Sequence, residues 1–288
     1  MIPAEFEYAA PQTVPEAIAF LQNNKEAKIL SGGQSLIPLM KFRLATPPLL
    51  VDINRIRGLD YIREEGGWLR VGALVREAEL EDSPIVQSKY MLLLETSSSI
   101  ADPLVRNLAT LAGNLAHADP ANDHPAAMLA YRAQVVATGP KGQRTIGIDD
   151  FFTGAFSTVL ASNEILTEVR IPTPPPHSGG AYQKLERKVG DFATAGVAVQ
   201  LNLDGKGNIQ QIGIGLTNVA ATALRAKRSE DVLRGKSPDA KLIAQAGQLA
   251  QQDCDPGNDL RGSEEYKRNM VRVLTMRALE QALARARG

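Results

Sequence analysis

Cysteine is nearly missing from this chain: Cys254 is the single thiol in 288 residues. One thiol cannot close a disulfide within the chain. Nor can it hold an iron–sulfur cluster, which takes about four Cys or His ligands. Cys254 lies in the polar stretch QQDCDPGND and reads as a small packing residue rather than a nucleophile. Excess charge is also missing, since 32 Lys+Arg balance 32 Asp+Glu. A neutral chain carries no electrostatic footprint for a phosphate backbone, so nucleic acid is not an expected partner. Aromatic residues make up only 5% and Trp68 is the sole tryptophan, which leaves no stacking platform for single strands. No run of about 18 apolar residues occurs, so no transmembrane segment is expected. The N-terminus, MIPAEFEYAAPQTVPEA, lacks the basic-then-apolar order of a signal peptide, and the expected location is the cytoplasm.

Several phosphate and nucleophile motifs are absent too. Gly213-Ile214-Gly215 lacks the third glycine of G-x-G-x-x-G and lies in a strand pattern, which excludes an ordinary Rossmann dinucleotide binder. No P-loop and no G-x-S-x-G elbow occurs. His117, Asp119, Asp123 and His124 fall close together, but their spacing matches no standard zinc pattern, and metal binding is not expected.

What is present is enough apolar residue, 44% of the chain, to fill two domains. Residues 13–24 predict a helix capped by Thr13, with Glu16 completing a capping box and Pro15 in the first turn. Residues 27–30 predict a buried strand, 36–44 a helix and 49–53 a second strand. A strand over 68–72, helices over 76–81 and 86–100, and a helix over 124–132 follow. QVVATG, RTIGI and ILTEVRI predict strands. The proline cluster PTPPPHSGG at 172–180 reads as a boundary, because prolines stop both sheet and helix. Beyond it, AYQKLERK, ATAGVAVQLNLDG and NIQQIGIGLTNV predict strands, with a hairpin turn at Asp204-Gly205. Residues 221–288 are helical in character. The expected fold class is α+β.

Two short glycine turns are the candidate sites. Ser31-Gly32-Gly33-Gln34-Ser35 stands between a strand and a helix. Its glycines permit positive φ and bring bare N–H groups near a ligand. Such a turn at a helix N-terminus makes an anion cradle that suits a diphosphate. The same residues also suit an ordinary tight turn with a serine cap. Thr110-Leu111-Ala112-Gly113-Asn114 combines a hydroxyl, a glycine and a side-chain amide. Asp123 could bind ribityl or ribose hydroxyls or a ring N–H, or cap the helix that follows; the two roles are compatible.

On these residues the chain resembles a known family. ILSGGQSLIPLMKFRLATPPLLVDI, ADPLVRNLATLAGNLAHADPANDHPA, YQKLERKVGDFATAGVAV and IGLTNVA are similar, in order and over nearly the whole chain, to the FAD-binding medium subunits of molybdenum hydroxylases, the xanthine dehydrogenase family. The likeness is greatest to those of aerobic carbon monoxide dehydrogenases. It implies an FAD-binding domain of the vanillyl-alcohol oxidase type over 1–176, with subdomains of about 1–55 and 56–176. A smaller domain of antiparallel sheet plus helices would occupy 177–288. It implies that Ser31, Gly32, Gly33, Gln34, Ser35 and Leu36, with Thr110, Leu111, Ala112, Gly113 and Asn114, hold the FAD diphosphate. Asp123 would contact the ribityl chain or ring edge, Lys184 would lie near the flavin or its phosphates, and Phe192 would sit beside the isoalloxazine.

The chain departs from the family pattern in three places. Ala112 stands where the first glycine of T-I-G-G-N is common, Ser31 where Ala or Pro is common, and Phe192 where carbon monoxide dehydrogenases carry Tyr. The resemblance further implies a large subunit with molybdenum cofactor and a small subunit with two [2Fe–2S] clusters, assembled as a dimer of heterotrimers. Electrons would reach an external acceptor such as a quinone, in a complex that is cytoplasmic or peripheral at the inner membrane. No substrate chemistry is expected on this chain, whose lone cysteine agrees with clusters held elsewhere. The alternatives are the same role with an N-heterocycle, aldehyde, nicotine or aromatic thioester as substrate, or a non-redox binding module.

Overall fold

The first helix shows how the local rules operate. In the computed structural model, which describes residues 1–288, it spans Val14–Asn23. The Thr13 hydroxyl accepts the Glu16 N–H at 3.3 Å. The Glu16 carboxylate reaches back one residue further than an ideal capping box, accepting the Gln12 N–H at 2.8 Å. Its buried stripe, Ala17, Ile18 and Leu21, covers a three-stranded parallel sheet in the order Glu7–Ala9, Leu49–Asp52, Lys28–Leu30. The central strand begins with three buried residues, as a strand paired on both edges should. The short edge strand Glu7–Ala9 carries exposed polar residues and was not legible in the sequence.

The second unit is a five-stranded antiparallel sheet. Its order is Ile62–Glu65, Trp68–Gly72, Ile165–Pro172, Gln134–Gly139, Gly142–Gly147. It shares a 30-residue core with helices that include Leu111–His117 and His124–Tyr131. The helix expected over 86–100 is two helices, Pro84–Lys89 and Met91–Ser98. Tyr90 breaks it at φ −119°, ψ 52°, its ring fully buried and its hydroxyl donating to Glu64 at 2.9 Å. Tertiary packing of one tyrosine overrides the helical pattern here. The helix expected over 36–44 stops at Lys41, and Arg43 adopts φ 57°.

The third unit is a four-stranded antiparallel sheet, Ser178–Leu185, Ala195–Leu203, Ile209–Thr217 and Leu224–Arg225. Helices Lys227–Leu233, Ala240–Asp253 and Glu264–Arg287 pack on it. Its first strand begins inside the segment read as sheet-breaking, because Ser178-Gly179-Gly180 pairs with 200–202. Gly179 is needed there: a Cβ would stand 1.9 Å from the Ala282 carbonyl of the last helix. Cys254 is buried in this core, and burial pushes its thiol up to about 12, so it packs rather than reacts.

Helix His124–Tyr131 ties the second and third units. All eight of its residues are buried. It lies directly on strand Ile209–Thr217: a Cβ on Gly213 would meet the Ala130 carbonyl at 2.0 Å, and one on Gly215 the Ala126 carbonyl at 1.9 Å. The Gly-Ile-Gly triplet is thus a packing device, letting helix backbone touch strand backbone. No helix is long and apolar enough to cross a membrane.

Candidate cofactor-binding site

The first turn is built as its residues predict. Ser31 to Ser35 joins strand Lys28–Leu30 to helix Leu36–Lys41. Gly33 takes φ 73°, where a side chain is strained. Its carbonyl accepts the first helical N–H, from Ile37, at 2.9 Å. Ser35 occupies the N-cap position, yet its hydroxyl makes no capping bond. The ordinary serine-capped turn is therefore not what the chain forms.

The second segment is not a turn. Thr110 caps helix Leu111–His117, its hydroxyl accepting the Gly113 N–H at 3.1 Å. Leu111 and Ala112 are buried. Ala112 stands in a helix, where negative φ suits it as well as the glycine common in the family. Gly113 lies beside the cap; a Cβ would stand 2.7 Å from the Thr110 hydroxyl. The Asn114 carbonyl accepts the Asn122 amide at 2.9 Å. Its side-chain Oδ1 is buried without a partner.

The fold brings the two segments into contact. A Cβ on Gly32 would strike the Leu108 carbonyl at 2.2 Å, so only glycine lets the first loop lie on the approach to the second. The Ser31 and Thr110 hydroxyls are hydrogen-bonded at 3.2 Å. Two residues that sequence reasoning missed secure this seam. The Asn54 amide donates to the Ser31 carbonyl at 2.9 Å. The Arg76 guanidinium donates to Leu108 O at 2.7 Å and to Asn54 Oδ1 at 2.6 Å. The only sequence signal was their position, each just beyond a strand end that faces the loops.

Asp123 and Lys184 meet, and Asp123 caps nothing. Its backbone is helical and its side chain makes no capping bond. Instead the carboxylate accepts from Lys184 Nζ at 3.0 Å and from the Tyr182 hydroxyl at 2.5 Å. Burial pushes this carboxyl up, against the pull of Lys184 and Tyr182. Burial and the Asp123 charge hold Tyr182 protonated, so the phenol donates. Lys184 also donates to the Ser99 carbonyl at 3.0 Å, which joins the third unit to the segment leading to Thr110. Tyr182 had no distinguishing sequence signal beyond its place in the Y-x-K stretch.

Phe192 is 45% exposed, on the loop after strand Ser178–Leu185. Arg261 stacks over its ring at 5.7 Å. The loop seats on the Ser99–Ala101 segment at Gly190, where a Cβ would meet the Ala101 carbonyl at 2.4 Å. The grouped acids and histidines separate into different partners: His124 bonds Glu77 at 2.8 Å, Asp119 holds the Ala121 N–H, and the His117 ring tilts against Phe156.

Bare backbone at Gly32 and Gly33, helix N-termini after Ser35 and Thr110, and an unpartnered buried amide oxygen on Asn114 fit an anionic, polyhydroxylated ligand. Comparison with known proteins agrees. Residues 4–174 match the family described as FAD binding domain in molybdopterin dehydrogenase. Residues 180–282 match the CO dehydrogenase flavoprotein C-terminal domain. The chain is 47% identical to the carbon monoxide dehydrogenase medium chain of Hydrogenophaga pseudoflava, covering 99% of both. It is 43% identical to that of Afipia carboxidovorans, over the full length of each. A solved carbon monoxide dehydrogenase from Hydrogenophaga pseudoflava superposes with a TM-score of 0.97 at 48% identity, covering 99% of both chains. Quinoline 2-oxidoreductase from Pseudomonas putida 86 superposes at 0.93 with 33% identity, again covering 99% of both. With both domain families and full-length relatives matched, the chain belongs to the FAD-binding medium subunits of the molybdenum hydroxylases.

Proposed function

We propose that this chain is the FAD-carrying electron-transfer subunit of an aerobic carbon monoxide dehydrogenase. The carrying observation is the paired cradle, in which Gly32 lies on Leu108 and Ser31 bonds Thr110. Residues 31–36 and 110–114 would hold the diphosphate. Asp123 and Lys184 would face the ribityl or ring edge, and Phe192 the isoalloxazine. Carbon monoxide is favoured over other substrates by degree of likeness: 43–47% identity to carbon monoxide dehydrogenase medium chains, against 34% to the nicotine 6-hydroxylase medium subunit.

FAD supplies the exchange between one-electron delivery from [2Fe–2S] clusters and two-electron delivery to an acceptor such as a quinone. This chain's residues bind and orient it. The N–H groups of the glycine loop and the two helix N-termini would neutralise the diphosphate. The Asp123–Lys184 pair, with Glu186 3.4 Å from the lysine, would set the local field. A large molybdenum-cofactor subunit and a small iron–sulfur subunit complete the complex, as a dimer of heterotrimers in the cytoplasm or peripheral at the inner membrane. The domains are assigned to 1–176 and 177–288, the first divided near residue 55.

The purified chain should show a flavin absorption spectrum, or acquire one when FAD is added to stripped protein, at one FAD per chain. Protein that stays colourless after incubation with FAD would remove this reading.

A further inference from the structure

Arg76 stands between the two loops and its guanidinium bonds no carboxylate, although Glu79 and Asp52 lie near enough to act on its charge. Arg106, on the approach to Thr110, bonds Glu81 at 2.7 Å. Lys184 is held by Asp123. The Arg76 guanidinium instead donates to two neutral acceptors, the Leu108 carbonyl and Asn54 Oδ1. It makes these bonds while half-buried, and burial lowers its pKa against the opposing pull of Glu79 and Asp52. Its backbone is also engaged: Glu79 accepts its N–H at 2.7 Å, and residue 76 bridges to Thr110.

The bonds of Arg76 run to both halves of the cradle. Through Asn54, whose amide holds the Ser31 carbonyl, it reaches the first loop. Through Leu108, the carbonyl on which Gly32 rests, it reaches the second. A planar guanidinium can span two acceptors in a fixed geometry, which a lysine ammonium cannot match. A cation with no carboxylate in hydrogen-bonding contact, next to an anion cradle, is stabilised when an anion arrives.

We infer that Arg76 is a positioning residue of the diphosphate cradle, clamping its two loops together and supplying the positive charge that the bound diphosphate compensates. This rests on the FAD reading above. The test is FAD affinity of the stripped full-length chain, by flavin fluorescence, across a series of salt concentrations. Arg76→Met should raise the FAD Kd about tenfold at low salt, with the gap to wild type closing as salt rises. Arg76→Lys keeps the charge without the span, so it should keep the wild-type salt dependence while recovering only part of the affinity. The melting temperature of the flavin-free variants serves as the control. An unchanged Kd in Arg76→Met would overturn the assignment. So would a loss of affinity equal at every salt concentration and matched by a fall in apo-protein melting temperature, which would make Arg76 a folding residue only. Wild-type protein that binds no FAD would instead defeat the parent reading.

Discussion

The molecule has two seams, and they are made of different material. Between the second and third units the joint is deep: a wholly buried helix presses its backbone onto Gly213 and Gly215, and the Asp123–Lys184 pair is almost fully enclosed beside it, each side chain 7% exposed. Between the first and second units the joint at the cradle is polar and shallow, resting on Ser31, Asn54, Arg76 and Thr110. Apolar contact and buried charge fix position strongly. A few partly hydrated hydrogen bonds, each worth about 1 kcal/mol, fix it weakly. The proposed cradle would therefore lie where loops can adjust to an entering ligand, with its proposed far wall rigid.

The largest effect should come from the deep seam. Asp123→Ala leaves the buried Lys184 ammonium with only the more exposed Glu186 carboxylate, 3.4 Å away, so it should destabilise the flavin-free protein by about 3 kcal/mol, the low end for breaking a buried pair. Denaturant unfolding measures this. Replacing both partners, Asp123→Leu with Lys184→Met, should recover part of that stability, since the one charge left unpaired, Glu186, is the most exposed of the three. If the single variant loses under about 1 kcal/mol, the deep seam is not held by charge and the contrast between the seams collapses.

A smaller loss is expected at the helix contact. Gly215→Ala adds one methyl where the Ala126 carbonyl stands 1.9 Å away. Backbone on both sides must shift, at a cost of about 1–3 kcal/mol. For a chain of this size that is a fall in melting temperature of roughly 2–4 °C per kcal/mol. Gly205→Ala, in the open Asp204 turn where nothing lies within 4 Å of the added carbon, should change little, and equal losses in the two variants would show that glycine packing does not build this seam.

The seams also differ in how far the sequence disclosed them. The cradle loop was legible because its information is local: a strand, two glycines, a serine and a helix follow one another within fifteen residues. The α+β class was legible for the same reason, each element carrying its own period. The deep seam was not. Gly213-Ile214-Gly215 resembled a failed nucleotide motif, since the helix it accommodates lies some eighty residues earlier in the chain. Asp123 read as a cap because a carboxylate before His-Pro suits that role; Tyr182 and Lys184, about sixty residues on, draw its side chain away instead. Tyr90 split a helix by burying its ring. Arg76 and Asn54 were invisible because the bonds by which they tie the two loops reach 22 residues or more along the chain, to a backbone carbonyl or to the other.

The smallest effect is the sharpest measure of the shallow seam. Thr110→Ala removes a helix cap, the 3.1 Å bond from Gly113 N–H, at a cost of about 1 kcal/mol. Ser31→Ala removes a hydroxyl 3.2 Å from Thr110 and 3.4 Å from the Ala73 carbonyl, long bonds worth a few tenths of a kcal/mol. Because the two hydroxyls touch each other across the seam, their losses should not add. A double-mutant cycle on the flavin-free chain should give a coupling of about 0.5 kcal/mol. The same cycle repeated with FAD bound reports whether the ligand takes over the joint: if the diphosphate is held by both loops, it supplies contacts across the seam and the hydroxyl coupling falls toward zero. A coupling that survives saturation with FAD unchanged would mean that the loops stay closed by their own bonds and that the ligand contributes nothing to holding the first unit against the second.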